Sequence, residues 1–310
     1  MRPHPLLPFR LTGSRPHLHV FIMHISCTPI IAHAPHLYFV HINVCCNYSN
    51  TPDKPLLPFA GSIKFNPLDQ FRVKKRITLR EAQSLVGVLN FACKVIRPGR
   101  AFLRRLIDLT MGANRKHHYV KLSTSARADI TAWLGFLENF NGVSIFLHNQ
   151  FTSSQSIKLY SDASGSIGFA AVLGSRWFAG KWDESWHAVH ITPKELFPIV
   201  LAIEIWGRLL ANHKILFRTD NAAVVEIINK QTSRDPHAMT LVRRLVLASL
   251  HHNVLFRAEH IPGVTNVIAD HLSRFRLQEA QRLAPWLNQA PCPVPLHLTS
   301  LRCKSQLHLC

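Results

Sequence analysis

The sequence predicts an α/β domain over residues 151–275, with its elements in the order β-β-β-α-β-α-β-α. Two short turns, Ala163–Ser166 and Gly174-Ser175, separate three strand-like runs, and connections this short join antiparallel neighbours. Apolar residues at helical spacing follow the third run. Acidic residues lie at the junctions between the elements, and this placement is the observation that says most about function.

The first half of the array begins with a run from Ile157 to Asp162 in which apolar and polar residues alternate, which predicts a strand that ends at Asp162. Two apolar runs follow, residues 167–173 and 176–182. A helix start is then predicted at residues 192–195, with Thr192 as the N-cap, proline at the first helical position and Glu195 closing a capping box. We expect this helix to continue to about Trp206 because its apolar residues recur at helical spacing.

The second half of the array repeats the pattern of a strand followed by a helix. The expected elements are a strand over 214–220, helices over 222–229 and 236–251, a strand over 254–259, and the segment 266–274 that carries Asp270. Asp220 ends its strand directly before a helix. The array therefore places an acid at each of four different junctions.

The four acids of the array are Asp162, Glu195, Asp220 and Asp270. The chain has only 17 Asp and Glu against 36 Lys and Arg, and convergent carboxylates repel one another unless cations lie between them. Two Mg²⁺ or Mn²⁺ ions about 3.5–4 Å apart would form a site for in-line phosphodiester cleavage. Each acid alone also has a local explanation, such as the capping box for Glu195 and a helix cap for Asp220.

Four segments resemble the RNase H domain of retroelement reverse transcriptases, with the closest likeness to retrotransposons of the DIRS type. They are residues 158–165, 195–196, 219–221 and 266–274, and the pieces His260–Gly263 and Ala269–Arg274 look like the signature ending of the DIRS group. The resemblance implies a mixed five-stranded sheet with flanking helices, two catalytic metal ions, and cleavage of RNA within RNA–DNA hybrids. It also implies that the four acids are the catalytic metal ligands.

The likeness extends upstream into a helical segment, residues 63–150. Thr78-Leu-Arg-Glu81 is a second capping box, and the helix that it opens is similar to the thumb and connection region of the same reverse transcriptases. No Tyr-x-Asp-Asp motif precedes it. We therefore expect the back end of a reverse transcriptase polyprotein, without polymerase activity.

Positive charge is concentrated in this helical segment. The formal net charge is +19, and residues 63–150 contain 15 basic against five acidic residues. Such density favours a nucleic-acid partner contacted through phosphates, although a solvated basic face is the alternative. The candidate nucleic-acid-binding residues are Lys74, Lys75, Arg76, Arg97, Arg100, Arg104, Arg105 and, beside Asp220, Asn221.

His260 has two interpretations. The resemblance implies a mobile histidine before the last metal ligand that helps product release, and His260 lies ten residues before Asp270. The motif His-Ile-Pro-Gly263 also fits the end of a strand, where the ring would be structural. Both interpretations stay open at this point.

The two ends of the chain show no lasting helix or strand period. We expect a non-globular, disordered leader over residues 1–62 and a disordered tail over 276–310. The apolar stretch 20–46 is interrupted by proline and histidine, so no membrane span or signal peptide is expected. The seven scattered cysteines lack a C-x-x-C pair, which favours an intracellular protein of the nucleus or cytoplasm.

Three hypotheses of function follow. The first is an RNase H-type nuclease, and the second is an inactive retroelement remnant that only binds nucleic acid. The third is a transposase or integrase core, which would place its last acid, a glutamate, on the final helix; here that acid is Asp270. No P-loop or dinucleotide-binding glycine motif is present, so no small-molecule cofactor is expected.

Overall fold

A computed structural model describes residues 21–29, 38–46, 67–94, 96–111, 115–138 and 157–301. The strands are β1 (Phe21–Pro29), β2 (Tyr38–Cys46), β3 (Arg76–Thr78), β4 (Tyr119–Lys121), β5 (Ile157–Ala163), β6 (Gly168–Leu173), β7 (Arg176–Lys181), β8 (Lys214–Thr219) and β9 (Leu255–His260). The α-helices are α1 (Pro67–Val73), α2 (Leu79–Ala92), α3 (Arg104–Asp108), α4 (Thr124–Glu138), α5 (Ile191–Trp206), α6 (Ala222–Lys230), α7 (Pro236–His251), α8 (Val267–Ser273), α9 (Leu277–Leu283) and α10 (Leu296–Thr299). Within these ranges, no helix has both the length and the apolar character that a membrane crossing requires.

The chain divides into two units, Met1–Pro67 and Leu68–Cys310, and the second contains a mixed five-stranded sheet in the order β7-β6-β5-β8-β9. Strand β6 is antiparallel to β5 and β7, as the short turns predict. Strand β8 is parallel to β5 and β9, because helices connect these strands. The predicted fold, a mixed sheet with flanking helices preceded by a helical segment, is confirmed.

Helix α5 is buried along nearly its whole length because it packs against both the sheet and α7. The predicted capping box at its start is wrong. The N-cap is His190, whose ring Nδ1 accepts a hydrogen bond from the Thr192 amide at 3.2 Å. Since the helix begins at Ile191, Glu195 lies beyond the first turn and its carboxylate takes no part in capping.

The upstream helices α1 to α4 contain buried apolar residues, among them Leu68, Leu89, Leu106 and Ile130, and strands β3 and β4 pair in a two-stranded sheet. The predicted capping box of α2 is confirmed: the Glu81 amide donates to Thr78 Oγ1, and the Thr78 amide donates to Glu81 Oε2 at 2.7 Å. The buried ring of Trp133 lies directly against Gly99. A Cβ at Gly99 would stand 2.3 Å from that ring, so only glycine fits there without rearrangement.

A buried ion-pair cluster joins these helices to the domain of the five-stranded sheet. Asp129 of α4 accepts from Arg105 of α3 at 2.9 Å and pairs with Arg243 of α7, whose Nε lies 3.4 Å away. The Asp129 side chain is only 2% exposed. Burial raises the pKa of Asp129 to about 6, and the two guanidinium groups oppose that rise. Asp129 is therefore an ionised, paired group at neutral pH.

The tail prediction is wrong over residues 276–301, which pack on the sheet domain. Three buried tail residues join side chains of β6, β7 and α8 in one apolar cluster; they are Ala280, Ala284 and Leu287. Backbone carbonyl groups provide further contacts, since Trp177 Nε1 donates to the Asn288 oxygen at 2.7 Å and Arg244 donates to the Ser300 oxygen at 2.9 Å. These contacts order a proline-containing segment that shows no long secondary-structure period.

The leader prediction also differs from the structure. Strands β1 and β2 pair antiparallel, from Phe21 opposite Cys46 to Pro29 opposite Tyr38. Their β-branched and aromatic residues favour strands, although interspersed histidines obscure the alternation. The rest of 1–62, and residues 302–310, lie outside the described residues.

Candidate metal centre and nucleic-acid surface

Three of the four predicted acids meet at one end of the sheet. Asp162 lies near the end of β5, Glu195 lies on α5, and Asp220 directly follows β8. Because β5 and β8 are neighbouring parallel strands, their carboxyl ends lie side by side. One carboxylate oxygen from each of these acids lies within 4.8 Å of the other two. The structure thus brings together Asp162, Glu195 and Asp220, called here the carboxylate cluster.

The fourth acid, Asp270, stands outside the carboxylate cluster. Its Oδ1 accepts from Arg274 Nε at 2.7 Å, an i,i+4 pair at the end of α8, and its side chain is 35% exposed. Asp270 is still close enough for its negative charge to raise the pKa of Asp162. The sequence predicts four convergent carboxylates. The structure brings three of them within 4.8 Å of one another and leaves the fourth at the margin, held by an arginine.

Asp162 accepts a hydrogen bond from the buried side chain of Ser273. It is 5% exposed, and Ser273 Oγ donates to its Oδ2 at 2.5 Å. Burial raises the pKa of Asp162 to about 6, and the charges of Asp220 and Asp270 add to the rise. The hydrogen bond from Ser273 opposes it. Asp162 is therefore harder to ionise than an ordinary aspartate, and the positive charge of Arg274 partly offsets this.

Glu195 is a buried acid that a hydrogen bond from the Ala163 backbone and the charge of Arg274 compensate only in part. It is 7% exposed, and among the described residues its Oε2 has no hydrogen-bond partner. Burial raises its pKa to about 9, and the charges of Asp162 and Asp220 contribute in the same direction. A buried carboxylate oxygen without a donor is costly, and a bound cation removes that cost. Three oxygen donors with one unpartnered atom fit Mg²⁺ or Mn²⁺.

Two residues at and just after the end of β9 lie close to Asp220. The His260 Nε2 atom lies 3.1 Å from the Asp220 carbonyl oxygen, so the ring donates to the end of β8. Gly263 approaches the Asp220 carboxylate so closely that a Cβ there would stand 3.1 Å from Oδ2. The observed contact of His260 agrees with a strand-end role, and an auxiliary catalytic role stays a prediction.

Asn221 uses its side-chain oxygen to cap α6. Its Oδ1 accepts from the amides of Ala223 and Val224 at 3.1 and 3.2 Å. Its predicted contact with nucleic acid would therefore involve the amide nitrogen, which the cap does not use.

The predicted basic residues fall into two groups. Three are engaged by carboxylates: Lys74 with Glu81, Arg104 with Asp108, and Arg105 with Asp129. The others are exposed; they are Lys75, Arg76, Arg97 and Arg100. Exposed cations can meet phosphates without first losing a partner, so the second group is the better candidate surface.

The roles of Ser273 and Lys194 are not predicted from the sequence. Ser273 lies in the Ala-Asp-His-Leu-Ser-Arg motif that ends at residue 274, but its hydrogen bond to Asp162 depends on how α8 packs across β5. Lys194 is 3% exposed, and its Nζ donates to the Gly165 oxygen at 2.6 Å, which holds the turn after Asp162. The only signal in the sequence is that each residue adjoins or follows a predicted acid.

No protein-family model matches the chain, and no curated protein matches it. Among solved structures, it is similar to an RNase H1 isolated from compost, with 19% identity, 40% of this chain and 97% of that chain covered, and a TM-score of 0.29. The RNase H1 of the archaeon Halobacterium salinarum has 17% identity, coverage of 41% and 100%, and a TM-score of 0.29. The protease-reverse transcriptase of prototype foamy virus has 16% identity, coverage of 60% and 25%, and a TM-score of 0.25. Because these TM-scores are below 0.5, the likenesses carry no argument, and the fold is described by its own mixed five-stranded sheet in the order β7-β6-β5-β8-β9.

Proposed function

We propose that this protein is a metal-dependent endonuclease of RNase H type that cleaves RNA in RNA–DNA hybrids. The observation that carries the proposal is the carboxylate cluster: three acids from β5, α5 and the end of β8 within 4.8 Å, one with an unpartnered buried oxygen. The motif resemblance further favours an origin in a DIRS-type retrotransposon reverse transcriptase acting inside the cell.

The roles of the chain's own residues follow from their positions. Asp162, Glu195 and Asp220 would hold divalent cations, and Asp270 at the margin would complete the ligand set. Arg274 orients the Asp270 carboxylate through its 2.7 Å contact. Burial of Asp162 and Glu195 excludes bulk water from the inner side of the site. Bound Mg²⁺ or Mn²⁺ supplies activation of a water and stabilisation of the leaving oxygen.

Recognition of the substrate would be independent of sequence. Lys75, Arg76, Arg97 and Arg100 are exposed on the helical segment, which the Asp129 ion-pair cluster joins to the sheet domain. Contacts from such residues to phosphates position a duplex without reading its bases. The same surface supports the second candidate function, binding of nucleic acid without cleavage.

The test is Mg²⁺-dependent cleavage of a labelled RNA–DNA hybrid by the full chain. We expect cleavage by the parent, none in EDTA, and none by Asp220→Asn. Asp235→Asn is the matched control, because Asp235 caps α7 through a bond to the Ala238 amide and asparagine caps equally well. A folded parent that binds the hybrid without cutting it would contradict the nuclease and support the binding function.

A further inference from the structure

The last turn of α8 reaches the carboxylate cluster through a buried serine. Ser273 is 0% exposed, and its Oγ lies 2.5 Å from Asp162 Oδ2 and 2.9 Å from the Asp270 carbonyl oxygen. A hydroxyl has one proton to donate, and a carboxylate is a stronger acceptor than a peptide carbonyl. The proton therefore goes to Asp162 whenever that carboxylate is ionised.

The other end of α8 is fastened to the same strand. Asn266 is 2% exposed, and its Nδ2 donates to the Ser161 carbonyl oxygen at 2.9 Å. Asn266 and Ser273 are seven residues apart, which places them on one face of the helix about two turns apart. Between them Ala269 and Leu272 are buried. Bonds at both ends of α8 to consecutive residues of β5 prevent the helix from sliding along the strand.

We propose that Ser273 is a positioning residue that orients the Asp162 carboxylate for cation binding, an inference that rests on the proposed function. A carboxylate offers about four lone-pair sites on its two oxygens. One hydrogen bond to Oδ2 fixes the rotation of the group and leaves lone pairs for a cation. Since α8 is fastened to β5 through Asn266, the hydroxyl stays at a constant place relative to Asp162.

The neighbouring residue performs the same task for the fourth acid. Arg274 binds Asp270 Oδ1 at 2.7 Å, directly after Ser273 binds Asp162. Two consecutive residues at the end of α8 thus each hold one of the predicted ligands. The end of this helix orients two carboxylates that come from different elements.

Metal affinity is the readout that separates positioning from simple packing. The metal-stripped full chain is titrated with Mn²⁺, and free Mn²⁺ is measured by electron paramagnetic resonance for the parent and for Ser273→Ala. Loss of a group that orients a metal ligand typically weakens metal affinity about 10–100-fold, and we expect that range here. The melting temperature in EDTA shows whether the variant is folded.

The matched control is Ser249→Ala. Ser249 is also a buried helical serine, 1% exposed, and among the described residues its Oγ has no hydrogen-bond partner. We expect this variant to bind Mn²⁺ as the parent does. Ser273→Thr, which retains the hydroxyl, is expected to restore most of the affinity lost in Ser273→Ala.

Equal Mn²⁺ affinity of the parent and a folded Ser273→Ala would overturn the positioning role and leave the proposed function standing. A folded parent that binds no Mn²⁺ would overturn both. If Ser273→Ala does not fold, Ser273→Cys replaces it, because a thiol fills similar space but is a weak donor. Parent-like Mn²⁺ affinity in that cysteine variant would also overturn the proposal.

Discussion

Two buried carboxylates in this molecule have opposite surroundings. Asp129 and Glu195 both have a pKa raised by burial, to about 6 and about 9. Asp129 is paired with Arg105 and Arg243, whereas Glu195 faces two further acids and has an oxygen without a partner in the described part of the chain. The first arrangement pairs the acid with positive charge between helices, and the second is compatible with a bound divalent cation. Burial alone does not separate a structural acid from a functional one; the compensating charge does.

The largest expected effect on folding comes from Asp129→Asn. The substitution removes the ion-pair partner of Arg243, whose side chain is 9% exposed. Breaking a buried pair in this way costs about 3–5 kcal/mol in the free energy of unfolding. Urea unfolding measures it. The control is Asp108→Asn, where the pair with Arg104 is 51% exposed on the acid side and the expected cost is below about 1 kcal/mol.

Glu195→Gln should give the opposite result. Cleavage of the hybrid should fall more than about 100-fold, since loss of a metal ligand exceeds the 10–100-fold effect of losing one of its supports. The free energy of unfolding in EDTA should stay the same or rise, because with glutamine the folded state no longer has to take up a proton at this position near neutral pH. Paired cleavage and urea measurements test both halves. A large loss of stability in EDTA would show that Glu195 is a structural acid like Asp129.

The pH dependence of the stability of the metal-free protein is a further test of the difference between Glu195 and Asp129. The pKa of Glu195 is raised from 4.5 to about 9, so the folded state holds more protons than the unfolded state between these values. Stability in EDTA should therefore fall as pH rises through that interval. Thermal unfolding between about pH 5 and pH 8 should show a steeper fall for the parent than for Glu195→Gln. Parallel profiles would contradict the raised pKa of Glu195.

The smallest expected effect concerns the basic surface. Removing the exposed pair with Arg97→Ala and Arg100→Ala should weaken hybrid binding and reduce the slope of log affinity against log salt by about one unit per lost phosphate contact. Arg104→Ala should change binding less, because Asp108 already engages that guanidinium at 2.7 Å. Equal effects of the paired and exposed arginines would place the nucleic acid elsewhere.

The fold and the convergence of three of the acids could be predicted from the sequence, because local residue patterns show where strands and helices begin and end. Asp162 and Asp220 each end an alternating run, and short turns fix which strands are antiparallel. The i,i+4 spacing of Asp270 and Arg274 was also visible, and it explains why Asp270 is paired at the margin. Local spacing in the sequence thus indicates both that Asp162 and Asp220 converge and that Asp270 is paired with Arg274 instead.

Long-range contacts were not accessible. The bond from Ser273 to Asp162 joins residues 111 apart, and the bond from Arg243 to Asp129 joins residues 114 apart. The packing of residues 276–301 on the sheet domain depends in part on backbone carbonyl groups, such as that of Asn288. Every residue type has a backbone carbonyl group, so the sequence does not indicate which of them accept these hydrogen bonds. Such contacts depend on how elements cross, which no periodicity encodes.

Metal binding by the carboxylate cluster can be tested with a crystal structure of the full chain grown with Mn²⁺, examined by anomalous scattering. We expect an anomalous peak within coordination distance of Asp162, Glu195 and Asp220, and its loss in Asp220→Asn crystals. Well-ordered crystals of the parent with no peak at the carboxylate cluster would contradict it.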